Sequence, residues 1–219
     1  MKKNISVQTL VVGQLQTNCY LITDLESRST LIIDPGDDSE YIGTVISRDR
    51  LTPTLIIATH GHFDHILGVF ELQGMFHIPF MLHKNDEFLL SRMKESAQFF
   101  LHRSIIEPVA HCDRHLTQNK SIAVGRYEFS VIETPGHTPG SVCLYQKEQQ
   151  ILISGDTLFA YGAVGRTDFA YSSLSDLRLS IQQLFLLPKD LTIYPGHGDA
   201  SSLASEKKHH HFSNQLPRV

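Results

Sequence analysis

Short apolar runs separated by polar breaks occupy the first half of the chain. Residues 7–12, 19–23 and 29–33 are rich in β-branched side chains, which favours strands. Residues 55–58 form a continuous apolar run, which is typical of a strand buried on both faces, and residues 79–82 repeat that pattern. The first half is therefore predicted to contain five strands.

The second half continues with further short runs of the same kind. Strands are predicted at residues 122–124, 127–132, 142–145, 151–153 and 191–194. Each is too short for a helix and is bounded by polar or turn-forming residues, which is the usual pattern of a strand. The two halves together predict enough strands for two sheets.

Three longer segments have the apolar spacing of amphipathic helices. The first covers residues 39–50, and the second covers residues 85–102 with Asn85 or Asp86 as its cap. The third begins after Ser175, which would cap it. Strands followed by helices in both halves predict an α/β fold in which two sheets pack together with helices outside. No linker divides the chain, so all 219 residues are predicted to form one domain.

Polar residues with metal-binding chemistry follow several of the predicted strands. His60, Asp156 and His197 each come just after an apolar run, and His137 follows residues 127–132 and a Pro-Gly turn. Strands that end at the same rim would bring these groups together, and rigid elements of this kind can fix metal geometry. The carboxylate of Asp156 can bridge two cations.

The chain has thirteen histidines, and imidazole is the commonest side-chain metal ligand. His60 and His62 are separated only by Gly61, which permits an irregular backbone that points both rings at one ion. Asp64 and His65 come from the same loop and could reach a second ion. Because nitrogen donors dominate, the predicted site suits Zn²⁺, Fe or Mn²⁺ rather than Ca²⁺ or Mg²⁺.

Composition and charge exclude several other classes of protein. The net charge is −4 with no long run of one sign, so the sequence makes no case for nucleic-acid binding. The N-terminus has no apolar core of a signal peptide, and no segment approaches the roughly 20 apolar residues that span a bilayer. Three widely spaced cysteines favour reduced thiols. A cytoplasmic protein with a small-molecule substrate is expected, and the oligomeric state stays open.

Ordered motifs along the chain resemble those of the metallo-β-lactamase superfamily. The segments are THGHFDH at 59–65, TPGHTPGS at 134–141, SGDTLF at 154–159 and YPGHG at 194–198. The resemblance implies a four-layer αβ/βα sandwich of two mixed β-sheets flanked by helices, with a dinuclear site at one edge. The ligands that it implies are His60, His62 and His137 for one metal, Asp64, His65 and His197 for the other, and Asp156 between them.

Residues 134–141 and 165–169 are also similar to the glyoxalase-II branch, the hydroxyacylglutathione hydrolases. That branch has a helical C-terminal extension that helps to bind glutathione, whereas this chain ends soon after His197, which leaves glutathione recognition open. The resemblance implies a metal-dependent thioesterase with two divalent ions, Zn²⁺ being favoured over Fe and Mn²⁺. A metal-bridging hydroxide would attack an S-acyl-glutathione-like thioester, with Asp64 orienting it. A thiolate leaves readily, since free thiols have a pKa near 8.5.

Two other functions are consistent with the same residues. Persulfide dioxygenases also resemble this chain, including the segment 165–169, and use one iron held by two histidines and an aspartate. Those ligands would be His60, His137 and Asp156. The third alternative is a metal-stabilised binding module without catalytic activity. A missing ligand would be the usual sign of that module, and every expected ligand position is filled.

Other conspicuous residues have simpler expected roles. Five histidines match no ligand position and are expected to be surface or structural residues: His77, His83, His102, His111 and His115. Arg166 and Asp168 are expected to form a charge pair that holds a loop. Residues 88–100 could line a substrate groove or pack in the core. The polar tail from Ser205, including the histidines at 209–211, is expected to be poorly ordered and solvated.

Overall fold

The computed structural model describes residues 4–105 and 108–210. Within them, two six-stranded sheets and six helices are present. The first sheet contains, in spatial order, β1 (Ile5–Val12), β2 (Thr17–Asp24), β3 (Ser29–Ile33), β4 (Thr52–Ile57), β5 (Phe80–His83) and β6 (Arg114–Leu116). The second contains β12 (Ser201–Ser202), β11 (Thr192–Pro195), β10 (Ile151–Gly155), β9 (Val142–Gln146), β8 (Tyr127–Glu133) and β7 (Ser121–Val124).

The helices lie between these strands along the chain. They are α1 (Ser39–Arg48), α2 (Phe63–Ile66), α3 (Val69–Phe76), α4 (Glu87–Leu101), α5 (Leu174–Leu184) and α6 (Leu203–His209). Both sheets are mixed: β3, β4, β5 and β6 pair in parallel, as do β10 and β11, and the other neighbours pair antiparallel. No helix in the described residues is long and apolar enough to cross a lipid bilayer.

The alternation of side chains along the strands creates the layers. On β2, Cys19 and Leu21 pack against the outer helices of the first sheet, whereas Tyr20 and Ile22 face the second sheet. Successive side chains of a strand point to opposite faces, so one strand contributes to two cores. A third core lies between the second sheet and α5. These three cores separate four layers, which confirms the predicted α/β sandwich of two mixed sheets flanked by helices.

Several short elements escaped the sequence patterns. Helices α2 and α3 were not predicted. They begin within or just after the polar motif at 59–65, where the sequence has no long apolar period typical of a helix. Strand β6 has only three residues. Ser173, and not Ser175, caps α5: its Oγ accepts a hydrogen bond from the backbone N–H of Asp176. Asp86 precedes α4 but makes no capping hydrogen bond, because its carboxylate binds other loops.

The polar tail was wrongly expected to lack ordered structure. Residues Leu203–His209 form α6, which begins with a side-chain cap from Ser202. His210 is buried, with its ring 5.6 Å from that of Phe185. It is therefore not a solvated residue. The part of the tail from residue 211 onward lies outside the described residues.

Both sheets contribute to one edge of the sandwich. Strands β10 and β11 are parallel neighbours that end side by side, with Gly155 opposite Pro195. The backbone N–H of Asn18, at the start of β2 in the other sheet, donates to the carbonyl of Gly196 at 2.7 Å. The Tyr20 hydroxyl donates to the carbonyl of Pro195 at 2.6 Å. Loops that follow the strands of both sheets are therefore held together at this edge.

Candidate metal centre

The seven predicted ligand residues all lie at this edge, on five different segments. His60 and His62 follow β4, Asp64 and His65 are on α2, His137 is between β8 and β9, Asp156 follows β10, and His197 follows β11. The expectation that strand ends would gather these side chains agrees with the structure. Their grouping depends on contacts between loops that are up to 132 residues apart in sequence, such as that between His65 and His197.

The first set consists of three imidazoles. His62 Nδ1 lies 3.0 Å from His60 Nε2 and 2.9 Å from His137 Nε2. Zinc–nitrogen bonds of about 2.0–2.1 Å would place two nitrogens of a tetrahedral site about 3.3 Å apart. The three nitrogen atoms therefore have nearly the spacing needed to share one cation.

The second set combines two imidazoles with a carboxylate. His65 Nε2 lies 3.3 Å from His197 Nε2, and His197 Nε2 lies 3.4 Å from Asp64 Oδ2. Ligand atoms of the three residues all lie within 4.8 Å of one another. This set also has suitable donor chemistry for Zn²⁺, Fe or Mn²⁺.

Asp156 lies between the two sets. Its Oδ2 is 3.5 Å from His137 Nε2 in the first set and 3.8 Å from His197 Nε2 in the second. Its Oδ1 is buried and accepts no hydrogen bond from any residue that the structure describes. His65 Nε2 lies 3.5 Å from this oxygen, and a buried carboxylate oxygen without a hydrogen bond needs a nearby positive charge, which a proton on His65 or a metal ion would supply. The residues present therefore fit a pair of metal ions.

Each of the five imidazoles has a protein contact on the ring nitrogen that faces away from the centre. The pairs are His60 Nδ1 with Thr59 Oγ1, His62 Nε2 with Tyr171 Oη, His65 Nδ1 with Asp34 Oδ2, His137 Nδ1 with the Arg166 carbonyl and His197 Nδ1 with the Leu15 carbonyl. Such outer partners orient metal-binding histidines and fix their tautomers. The histidines are thus prepared for coordination through the inward nitrogen.

The charges at the centre reflect its burial. Burial and the neighbouring histidines lower the pKa of His60 well below its usual value, and burial lowers the pKa of His62 to about 3. Both rings therefore keep a free lone pair at neutral pH. At His65 burial has the same tendency, but the carboxylates of Asp156 and Asp34 outweigh it and raise the pKa to about 10. A bound cation would supply the positive charge that this proton provides in the metal-free chain.

Gly61 has a different role from the predicted one. Its φ is not positive, so backbone freedom does not explain it. A Cβ at this position would lie 2.9 Å from both the Asp86 carbonyl oxygen and Leu89 Cβ. Glycine therefore allows the loop to pack closely against the start of α4. There the Gly61 N–H donates to Asp86 Oδ2 at 2.8 Å.

The centre forms the floor of a cavity of about 650 Å³. Its walls are largely aromatic and come from α4 and from the loops after β10: Phe99, Phe100, Phe159, Phe169 and Tyr171. Helix α4 also packs in the core through Leu90, Met93 and Ala97, so both roles considered for residues 88–100 occur. The cavity can hold a small molecule with an apolar part directly above the metal-binding side chains.

The remaining charged residues, histidines and cysteines lie where the following contacts show. Arg166 and Asp168 form the expected charge pair, with Nε 2.6 Å from Oδ1. His83 contacts Glu133 at 3.3 Å, and His77, His102 and His111 are exposed. His115 lies beside Glu87. All three cysteines are free thiols, as predicted, and Cys19 and Cys143 are buried.

Three residues that support the centre were not predicted to contact its side chains. They are Asp34, Tyr171 and Asp86, the last of which was expected only to cap a helix. Asp34 accepts hydrogen bonds from the Thr59 N–H at 2.6 Å and the Thr59 hydroxyl at 2.8 Å. Each residue acts across a long sequence separation, so local pattern could not reveal its partner.

Comparison with known proteins places these features in a family. The chain matches the metallo-β-lactamase superfamily over residues 12–197. It is 33% identical to the probable metallo-hydrolase YqgX of Bacillus subtilis, with 93% of this chain and 95% of that protein covered. It is 32% identical to the hydroxyacylglutathione hydrolase GloC of Haemophilus influenzae, with 96% and 99% covered.

Solved structures agree with this assignment. The BLEG-1 B3 metallo-β-lactamase superposes with a TM-score of 0.85 and 34% identity, covering 95% of this chain and 99% of that one. TTHA1623 in a di-iron-bound form gives a TM-score of 0.84 and 32% identity, covering 94% and 99%. By sequence and fold, the chain belongs to the metallo-β-lactamase superfamily.

Proposed function

We propose that the chain is a hydrolase that uses two divalent metal ions to cleave a thioester. The observation that carries the proposal is the convergence of seven metal-binding side chains, in two sets joined by Asp156, on the floor of an aromatic cavity. The similarity to the hydroxyacylglutathione hydrolase GloC along nearly the whole chain supports the choice of a thioester.

The proposed ligands are those of the two sets. His60, His62 and His137 would hold one ion, Asp64, His65 and His197 would hold the other, and Asp156 would be shared. Two such ions supply a hydroxide nucleophile near neutral pH and a Lewis acid for the substrate carbonyl. Zn²⁺ remains the first choice for this nitrogen-rich set, and the di-iron form of TTHA1623 makes iron the main competitor.

Asp64 is the residue that we propose to orient the attacking water. Its Oδ2 accepts a hydrogen bond from Thr17 Oγ1 at 3.4 Å, and its side chain lines the cavity. The neighbouring His65 and His197 overcome the effect of burial and hold the pKa of Asp64 below its usual range. An anionic carboxylate at this position can accept a hydrogen bond from water and so direct the lone pair of the water oxygen at the carbonyl. The departing thiolate needs no strong general acid, because thiols have a pKa near 8.5.

The cavity walls indicate which substrates fit. Phe99 and Phe100 project from the last turns of α4 with large exposed fractions, 73% and 41%, although both line the cavity. Arg92 adds positive charge and Glu95 negative charge to the same walls, and the Arg166 guanidinium is paired with Asp168. Aromatic surface would bind an apolar acyl group or thiol, and Arg92 would attract a carboxylate at its far end. S-acyl-glutathione and related acylated thiols combine these features.

The test compares metal-loaded wild type with a His62→Ala variant on S-lactoylglutathione and on an aromatic thioester. We expect thioester turnover by wild type and two ions per chain in protein purified without added metal. The His62→Ala variant should lose most of the turnover and one of the two ions, because His62 is one of the three imidazoles of the first set. The matched control is His111→Ala, which removes an exposed histidine and should behave as wild type.

Three other results would replace the proposal. His60, His137 and Asp156 also lie together, with Asp156 Oδ2 3.9 Å from His60 Nε2 and 3.5 Å from His137 Nε2. One iron per chain and oxygen consumption with glutathione persulfide would favour the dioxygenase. Hydrolysis of a chromogenic cephalosporin without thioester turnover would favour a β-lactamase. The similarity to the BLEG-1 B3 metallo-β-lactamase is the reason for testing this activity. Absence of every activity in metal-loaded protein would favour the binding module.

Tyr171→Phe should weaken metal binding without disturbing the fold. The inward nitrogen of His62 is Nδ1, so its Nε2–H donates to the Tyr171 hydroxyl at 2.9 Å. Phenylalanine keeps the ring stacked on Phe169 but removes this acceptor. Loss of such an outer partner typically costs roughly 10–100-fold in metal affinity. Competition with a chromophoric chelator would measure the zinc affinity.

The control for Tyr171→Phe is Tyr161→Phe. Tyr161 is 87% exposed, and its hydroxyl contacts Asp199 rather than the centre. We expect its zinc affinity to equal that of wild type. If both variants kept wild-type affinity, Tyr171 would not be a positioning residue for His62.

A further inference from the structure

A second group of metal-binding side chains lies outside the cavity, where the start of α4 meets the edge strand β6. Glu87 is the first residue of α4, Cys112 comes two residues before β6, and His115 is the central residue of β6. One ligand atom from each of the three side chains lies within 4.8 Å of the others. His115 Nε2 is 2.6 Å from Glu87 Oε1, so two of these atoms are already in direct contact.

The three donors have the chemistry of a zinc site. Thiolate, imidazole and carboxylate are the side-chain ligands that Zn²⁺ takes in proteins, whereas Ca²⁺ and Mg²⁺ prefer oxygen alone. All three residues are at least partly exposed, so an ion can reach them and water can complete the coordination. The set differs from the seven-residue centre in one decisive respect, because it contains sulfur.

We propose that Glu87, Cys112 and His115 form a separate zinc-binding site that joins the start of α4 to strand β6. Strand β6 has three residues and pairs only with β5 among the described strands, through Leu82 and two neighbours. An exposed carboxylate–histidine pair alone contributes little to stability. An ion held between α4 and β6 would stabilise this edge of the first sheet. The stabilisation would grow with the zinc concentration, because the ion binds the folded chain and not the unfolded one.

Coordination would replace contacts that the thiol makes in the metal-free chain. The Cys112 S–H donates to the Arg114 carbonyl at 3.3 Å. Binding of the ion would release the thiol proton to solvent, as metals do for coordinating thiols. The site has three protein ligands and is partly exposed, so it should bind zinc more weakly than the buried centre and fill after it.

Cobalt provides a test that separates the two sites. The proposed ligands of the catalytic centre are only nitrogen and oxygen donors, and Cys19 and Cys143 are buried in the cores. A thiolate-to-cobalt charge-transfer band would therefore report on Cys112. We titrate metal-free full-length protein with Co²⁺ and expect the near-ultraviolet band to grow as the last equivalent binds.

The variants distinguish this proposal from the proposed hydrolase. Cys112→Ser should abolish the band, and the matched control Cys143→Ala should keep it. His115→Asn and Glu87→Gln should raise the Co²⁺ concentration for half-saturation by at least the roughly 10-fold that even an outer partner costs. His62→Ala should keep the band, because only the catalytic centre is damaged. No band in wild type at saturating Co²⁺, or a band that survives in Cys112→Ser, would overturn the proposal whatever the thioester assays show.

Discussion

Asp156→Asn should eliminate thioester turnover and leave the chain unable to retain both metal ions. The carboxylate lies between the two sets, 3.5 Å from His137 Nε2 and 3.8 Å from His197 Nε2 through the same Oδ2 atom. An amide removes the negative charge that two cations require and introduces N–H donors beside inward-facing imidazoles. The loss in kcat/KM should exceed the roughly 10–100-fold that removal of an outer hydrogen-bond partner costs.

Steady-state kinetics on a thioester, together with elemental analysis of the purified protein, would measure this effect. The control is Asp168→Asn, which changes the same functional group at a position paired with exposed Arg166. Its metal content should match that of wild type. An Asp156→Asn protein that kept two ions and a kcat/KM within about 10-fold of wild type would contradict a shared role for the carboxylate.

The layers of this fold were predictable because strand periodicity and burial coincide. On β2 the alternating residues Cys19, Tyr20, Leu21 and Ile22 contribute in turn to the helix-facing and sheet-facing cores. The elements that the sequence did not predict are the short ones. Strand β6 forms because parallel pairing with β5 extends the sheet, and a three-residue segment has no period of its own to reveal that pairing.

The inner and outer parts of the candidate centre differ in what the sequence reveals. Proposed ligands such as His60 and Asp156 follow directly after apolar strands, so the sequence order already indicates a common rim. Outer partners have no such marker. Tyr171 reaches His62 across 109 positions, and Asp34 reaches His65 from a turn after β3. These contacts are set by the packing of loops from both sheets, and only the folded chain reveals them.

Asp86 shows how far this outer support extends, because it joins two of the ligand loops. Its carboxylate is fully buried and accepts hydrogen bonds from the Gly61 N–H at 2.8 Å, the Gly140 N–H at 2.6 Å and the Thr138 hydroxyl at 2.7 Å. The first donor belongs to the loop of His60 and His62, and the other two follow His137. A single side chain therefore connects the two loops that carry the three imidazoles of the first set.

Asp86→Ala should produce the largest loss of stability among these substitutions. Truncation leaves the buried N–H groups of Gly61 and Gly140 without an acceptor, whereas the Thr138 hydroxyl can still donate to Ser141 Oγ at 2.7 Å. Each unsatisfied buried group costs about 1–3 kcal/mol, so we expect the free energy of unfolding to fall by about 2 kcal/mol or more, a large share of the roughly 5–15 kcal/mol of an ordinary domain. Urea unfolding of the metal-free protein would measure the change without the contribution of bound ions.

Asp86→Asn separates the loss of hydrogen bonds from the loss of volume. Asparagine keeps the shape and one acceptor oxygen, but its NH₂ group must face at least one of the three donors. Its stability should lie between those of wild type and Asp86→Ala, and its zinc affinity should fall because the Gly61 and Gly140 loops are no longer held by one carboxylate. Equal stability of all three proteins would mean that solvent satisfies these donors. In that case the two ligand loops must be held together by contacts other than those of Asp86.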